Sequence, residues 1–237
     1  MKKSSIIIPG ESGASHNAQE VNFREIRMGH IAPNTLFRSS HPIKENKQEK
    51  VISMLAAKAK IGAVLNLSDT KAEITGKSIF APWYNRLLKN NKVIALGMDF
   101  NTTSEQFKKK LKKGLQFIIS TQGPWLIHCH AGVDRTGIVV MILEAFMGAT
   151  VDEITTDYLQ SFNSIFDSSI YGEVNNNDSI VVMKLLSIMG NDVIINDKNL
   201  QVVAEHYLGN TIRLTAIELE LLRKKLAGIQ NELLTKH

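Results

Sequence analysis

Cys129 is the only cysteine among 237 residues, and Arg135 follows it after five intervening positions in the stretch WLIHCHAGVDRTGIVV (125–140). Five residues suffice to wrap a backbone around a tetrahedral oxyanion with its amide hydrogens pointing inward. A helix opening near Arg135 adds free N–H groups and the positive end of its dipole. The same field favours a thiolate, the nucleophilic form of cysteine. Arg135 can grip two oxygens in a fork, which lysine cannot do. His130, Ala131, Gly132, Val133 and Asp134 complete the expected phosphate cradle, and Gly132 eases its tight turn. Thr136 sets a hydroxyl beside the sulfur for a second chemical step. A lone cysteine is otherwise most often a buried small hydrophobe. The whole context of apolar strand, Cys129, Gly132, Arg135, Thr136, Gly137 and apolar helix argues for chemistry instead. No Gly-Lys-Ser/Thr closes the loop, so it is not a nucleotide-binding P-loop.

Cleaving a phosphate monoester through a thiophosphate needs a proton for the leaving oxygen, then a base for the attacking water. One carboxyl group can do both. Asp99 opens the loop DFNTTSE after an apolar run, and it alternatively caps the helix that follows. Asp134 lies inside the cradle, where it serves equally as an ion pair orienting Arg135. Asp69 ends another apolar run and more often marks a turn. They rank as acids in that order. His130 contacts substrate or is solvated. Arg38, in LFRSS, reaches the loop or a second phosphate, or forms a structural ion pair.

These residues need a scaffold. NFREI (22–26) and LFRSS (36–40) read as a hairpin-like entry turning near Gly29. Helical spacing covers 44–60, with Val51, Met54 and Leu55 on one face. Apolar runs of strand length occupy 61–69, 92–100 and 125–129. Helices are expected after Pro82, over 104–121 with Ser104 as cap, and over 136–147 with Gly148 beyond its end. The remainder, about 150–237, reads as helical. Strands alternating with helices imply an α/β fold, a mostly parallel central sheet flanked by helices with a helical C-terminal part. Residues 1–20 read as a loose arm and 21–237 as one domain.

Composition narrows the class. Hydrophobic residues make up 43% and charged residues 22%, ordinary for a globular chain with a sizeable core. A net charge of +5 favours anions but is too diffuse to mark a nucleic-acid binder. The run KKKLKK (108–113) is most simply a solvated helix face, with anionic substrates or lipid headgroups as the alternative. One cysteine cannot form an internal disulfide, so a cytosolic location is the default. Only three apolar residues precede Pro9, short of a secretory h-region, and no apolar run approaches a membrane span. Export by a specialised secretion system leaves no readable trace. The histidines are dispersed and show no zinc-ligand pattern, so neither metal nor cofactor is expected.

HCHAGVDRTG (128–137) resembles the signature of the cysteine-dependent protein tyrosine and dual-specificity phosphatase superfamily. The Asp before the Arg resembles a bacterial and fungal tyrosine phosphatase branch whose loop ends Asp-Arg-Thr-Gly. NFREI, LFRSS, AVLNLSDTKAE (63–73), DYLQS (157–161) and YLG…ELELLRKKL (207–226) resemble other segments of that branch. Asn66 and Ser68 depart from it, standing where it carries Asp and Arg. The resemblance implies a phosphatase with a cysteinyl-phosphate intermediate. Its expected substrate is protein phosphotyrosine, with dual specificity or phosphoinositides as alternatives. It also implies a mobile acid loop at the separation of Asp99 from Cys129, and a buried supporting role for His128. Asp134 has counterparts in phosphoinositide phosphatases. Sulfur transfer, arsenate reduction and a non-catalytic phosphate-binding module remain as other classes. Arsenate reduction usually needs a second cysteine, which is absent.

Overall fold

The computed structural model describes residues 18–43, 46–77, 81–165, 177–190 and 193–229. Five strands form one sheet: β1 (Arg24–Ile26), β2 (Leu36–Ser39), β3 (Ala63–Asn66), β4 (Val93–Ala95) and β5 (Trp125–His128). Their spatial order is β1-β2-β5-β3-β4. Only the β1–β2 pair is antiparallel; β2–β5, β5–β3 and β3–β4 are parallel.

The inner strands β2, β3 and β5 are buried on both faces, which is why β3 and β5 read as apolar runs. Alternation sorts their side chains between two cores. Leu36, Ala63, Leu65, Trp125 and Ile127 face one layer. Phe37, Val64 and Leu126 face the other. The second layer is closed by α1 (Asn46–Lys58) and α3 (Pro82–Lys89) through Ile52, Leu55 and Tyr84. Helix α2 (Lys71–Lys77) lies between β3 and α3 in the chain.

The first layer is thicker. Helix α4 (Glu105–Ser120) buries Phe107, Leu111, Leu115 and Ile118, and the Ser104 hydroxyl accepts a hydrogen bond from the Phe107 amide, capping it as expected. Helix α5 (Asp134–Phe146) is buried from Arg135 to Phe146. It is wrapped by α6 (Val151–Ile165), α7 (Asn177–Gly190) and α8 (Leu200–His206), the last continuing into a π-helical turn over Tyr207–Thr211. A helix apolar on all sides is what such a central position requires. Helix α9 (Ala216–Leu226) packs on α4 and begins with a Thr215–Glu218 capping box.

The architecture follows the expected class, and the differences are local. Residues 18–20 form a helical turn rather than part of a loose arm, because Ala18 packs against the second core and its carbonyl accepts the Phe23 amide. Residues 1–17 lie outside the described residues. Helix α5 starts at Asp134, two residues earlier than expected. Helix α2 was not anticipated. Its signal is the Thr-Lys-Ala-Glu run: Glu73 accepts from the Thr70 amide and Thr70 from the Glu73 amide. Among the described residues, no helix is long and apolar enough to cross a membrane.

Register decides where chemistry can occur. His128 at the end of β5 is level with Ser39 of β2 and Asn66 of β3, and Asn66 is level with Ala95 of β4. The chain therefore leaves four adjacent strands at one sheet edge. In open α/β sheets, ligands bind outside this carboxyl edge.

Candidate active site

Cys129 follows β5 directly at that edge and is 2% exposed. The loop from Cys129 to α5 is fixed by its carbonyls. The His128 carbonyl accepts the Leu67 amide at 2.9 Å, and the His130 carbonyl accepts the His41 amide at 3.0 Å. The Gly132 carbonyl accepts Arg38 Nη2 at 2.8 Å and Asn22 Nδ2 at 3.0 Å. Carbonyls held outward leave the opposite side of the loop to its amides. Among the described residues, the amides of 131–136 donate to no protein acceptor. A run of unpaired N–H groups beside a helix start is an anion-binding arrangement.

Gly132 is the pivot. Its φ is +75°, and an added Cβ would lie 2.4 Å from the Ser39 carbonyl oxygen. Gly137 has a different task. A Cβ there would meet the Tyr158 ring at 2.7 Å, so glycine lets α6 close onto the first turn of α5.

Arg135 is 9% exposed. Its Nη1 donates to the Met98 carbonyl at 3.0 Å, and its guanidinium lies 4.7 Å from the Phe100 ring centroid. The residues on either side of Asp99 therefore both touch Arg135. Asp99 is exposed, and its Oδ1 accepts the Asn101 amide at 3.0 Å. Asp134 is exposed at the first position of α5. His130 is exposed, Ala131 is half-buried, and Gly132, Val133 and Thr136 are buried. Four buried polar atoms in or beside this loop have no protein partner: Arg38 Nε, Ser40 Oγ, Arg135 Nε and Thr136 Oγ1. Unpaired buried donors are costly unless a ligand or water satisfies them.

Arg38 does not face the cradle. It is fully buried, pairs with Asp157 and donates to the Gly132 carbonyl. The expectation that it binds phosphate gives way to support of the loop from behind. Asp157 is the hub of that support. Its Oδ1 accepts Arg24 Nε at 3.0 Å and its Oδ2 accepts Arg38. Burial opposes charge on Asp157, but the two guanidinium groups outweigh it and lower its pKa. Burial lowers Arg24 to about 10, against the pull of Asp157. Nearby Glu144 is pushed up, first by burial and then by Asp157. Asp157→Ala strands two buried guanidinium groups. It is expected to destabilise the fold by about 3–5 kcal/mol in urea unfolding; a change under about 1 kcal/mol would show that the hub is not structural.

Asp69 is likewise removed from contention as a free acid. It is 3% exposed, and its Oδ2 accepts His41 Nε2 at 2.6 Å and Asn66 Nδ2 at 2.8 Å. Burial alone would raise its pKa; these hydrogen bonds hold it well below the carboxylate range. His128 lies under the loop between Tyr84 OH, 3.2 Å from its Nε2, and the Cys129 carbonyl, 3.4 Å from its Nδ1. Burial, above all, keeps its ring neutral. No residue pattern in the sequence marks Asn22, His41, Tyr84, Asp157 or the Met98 carbonyl as part of a site. Asn22 and Asp157 lie within quoted family-like segments, while His41 carries no local pattern. Among the described residues, no group of three or more His, Cys, Asp or Glu side chains could hold a metal ion.

The sequence pattern of the tyrosine phosphatase family matches residues 17–228. No curated protein matches the chain. Among solved structures, it is similar to the core catalytic domain of the PP-IP phosphatase Siw14 from S. cerevisiae in complex with citrate. That likeness has 18% identity and a TM-score of 0.42, and covers 79% of this chain and 94% of that one. A second structure, of the Siw14 catalytic core, matches at 18% identity and a TM-score of 0.40, over 78% of this chain and 97% of that one.

Proposed function

The chain belongs to the tyrosine phosphatase family, and on that premise we propose that it hydrolyses phosphotyrosine in proteins at the Cys129 loop. The observation that carries this reading is the row of unpartnered amides over 131–136, with Arg135 Nε and Thr136 Oγ1 buried and unpaired beside it. These donors suit a tetrahedral oxyanion. Cys129 Sγ attacks phosphorus, the S–P bond forms and the ester P–O bond breaks. The loop amides and Arg135 hold the equatorial oxygens, and such prepositioned donors supply the largest share of the rate enhancement. Asp99 passes its proton to the leaving oxygen. Water then attacks phosphorus, the S–P bond breaks, and the Asp99 carboxylate takes up the water proton.

Support for Asp99 lies in its setting between Met98 and Phe100, which both contact Arg135. Asp134 sits exposed at the first position of α5, beside Arg135. Support for an aryl ester comes from Phe100, whose ring is 60% exposed next to the guanidinium. It offers an apolar face to a phenyl group.

The test is phosphate release from phosphotyrosine, phosphothreonine and phosphoinositide substrates by wild type, Asp99→Asn and Asp134→Asn. Asp99→Asn is expected to lower kcat roughly 100-fold on phosphotyrosine and much less on p-nitrophenyl phosphate, whose leaving group needs little help. A larger loss in Asp134→Asn would move the acid to the cradle. A phosphoinositide preference would replace the proposed substrate class.

A further inference from the structure

His41 belongs to no motif, yet it is buried where the carboxyl edge meets the loop. Its backbone amide donates to the His130 carbonyl at 3.0 Å. Its ring stacks on the His130 ring, with centroids 5.5 Å apart and an interplanar angle of 20°. Its edge meets His128 at 5.1 Å. Both ring nitrogens are engaged. Nδ1 accepts the Ile43 amide at 3.2 Å, so the proton resides on Nε2, which donates to Asp69 at 2.6 Å. Asp69 is fixed in turn by Asn66 Nδ2, and its backbone carbonyl accepts the Gly97 amide at 2.7 Å, just before the segment carrying Asp99. A ring with a defined tautomer, pinned at both nitrogens, is a rigid platform under one residue of the cradle.

We propose that His41 is a positioning residue for the anion loop, with Asp69 and the Ile43 amide orienting its ring and His130 transmitting that orientation to the loop. This rests on the phosphatase reading above. Misplacing a cradle amide by a fraction of an ångström weakens every oxyanion contact it makes.

The test is a double-mutant cycle on the full chain with wild type, His41→Gln, His130→Ala and the double variant. The readouts are kcat/KM for p-nitrophenyl phosphate, inorganic phosphate affinity by calorimetry, and the thermal midpoint. His41→Gln is expected to cost roughly tenfold in kcat/KM and phosphate affinity when His130 is present, and less than about twofold in the His130→Ala background. The thermal midpoint, read for all four proteins, separates packing lost between the stacked rings from the functional coupling. Equal functional losses in both backgrounds would overturn the proposal and leave the phosphatase reading standing. If wild type releases no phosphate, that reading fails, and the calorimetric cycle still decides the coupling. Should His41→Gln not fold, His41→Asn retains an acceptor for the Ile43 amide and the same cycle is read with it.

Discussion

Cys129→Ser lowers phosphate release at least roughly 10⁴-fold while inorganic phosphate still binds. Losses of that order follow removal of a nucleophile that acts as one unit with its neighbours. The substitution is conservative in volume. Cys129 is 2% exposed among packed side chains, so the fold should survive it. On the proposed reading the anion is held by the amides of 131–136 and by Arg135, none of which the substitution alters. Serine lacks a base to activate it: His128 beneath the loop is engaged by Tyr84 and the Cys129 carbonyl. The measurement pairs p-nitrophenyl phosphate turnover with calorimetric phosphate binding. Turnover within tenfold of wild type would remove Cys129 from the chemistry. Lost binding with a retained thermal midpoint would show that the sulfur shapes the cradle as well.

Gly132→Ala is expected to be the second most damaging change, for a steric reason. The methyl group would sit 2.4 Å from the Ser39 oxygen, 2.7 Å from its carbonyl carbon and 2.9 Å from the Ser40 nitrogen. All three are backbone atoms of the chain leaving β2 and cannot swing aside. A φ of +75° adds strain of about 1 kcal/mol or more for any side chain. The loop must lift, which frees the Gly132 carbonyl from Arg38 and Asn22 and rotates the neighbouring amides. A misplacement near 1 Å costs about 100-fold in kcat/KM, and phosphate affinity should fall with it. Gly76→Ala in α2 is the control, since its new methyl meets nothing within 4 Å. Full activity in Gly132→Ala would mean the loop does not depend on that carbonyl anchor.

Much of this was legible in the chain because its signals are local. Cys129 to Gly137 is a continuous strand, loop and helix start, so its chemistry lies within a dozen residues. Apolar runs of strand length, Ser104 before an amphipathic helix, and Pro82 at a helix start each carry their own physical cause. What could not be read is what depends on separation. Arg38 and Asp157 are 119 positions apart, and Asn22 and Gly132 are 110 apart. No periodicity encodes such a meeting, so the sequence leaves Arg38 open between the loop, a second phosphate and an ion pair. His41 and Asp69 show the same limit. Each lies in a polar turn after a strand, and only the parallel register of β2, β5 and β3 brings the two together under His130.

The sheet's two outer members, β1 and β4, hold only three residues each. An edge that short exposes few unpaired backbone groups to a passing chain, and β1 carries Arg24 and Glu25 in two of its three places. The long apolar segments, β3 and β5, lie inward with a partner on either side. Short edges thereby limit intermolecular strand addition, even though one of the apolar inner strands leads straight into the Cys129 loop.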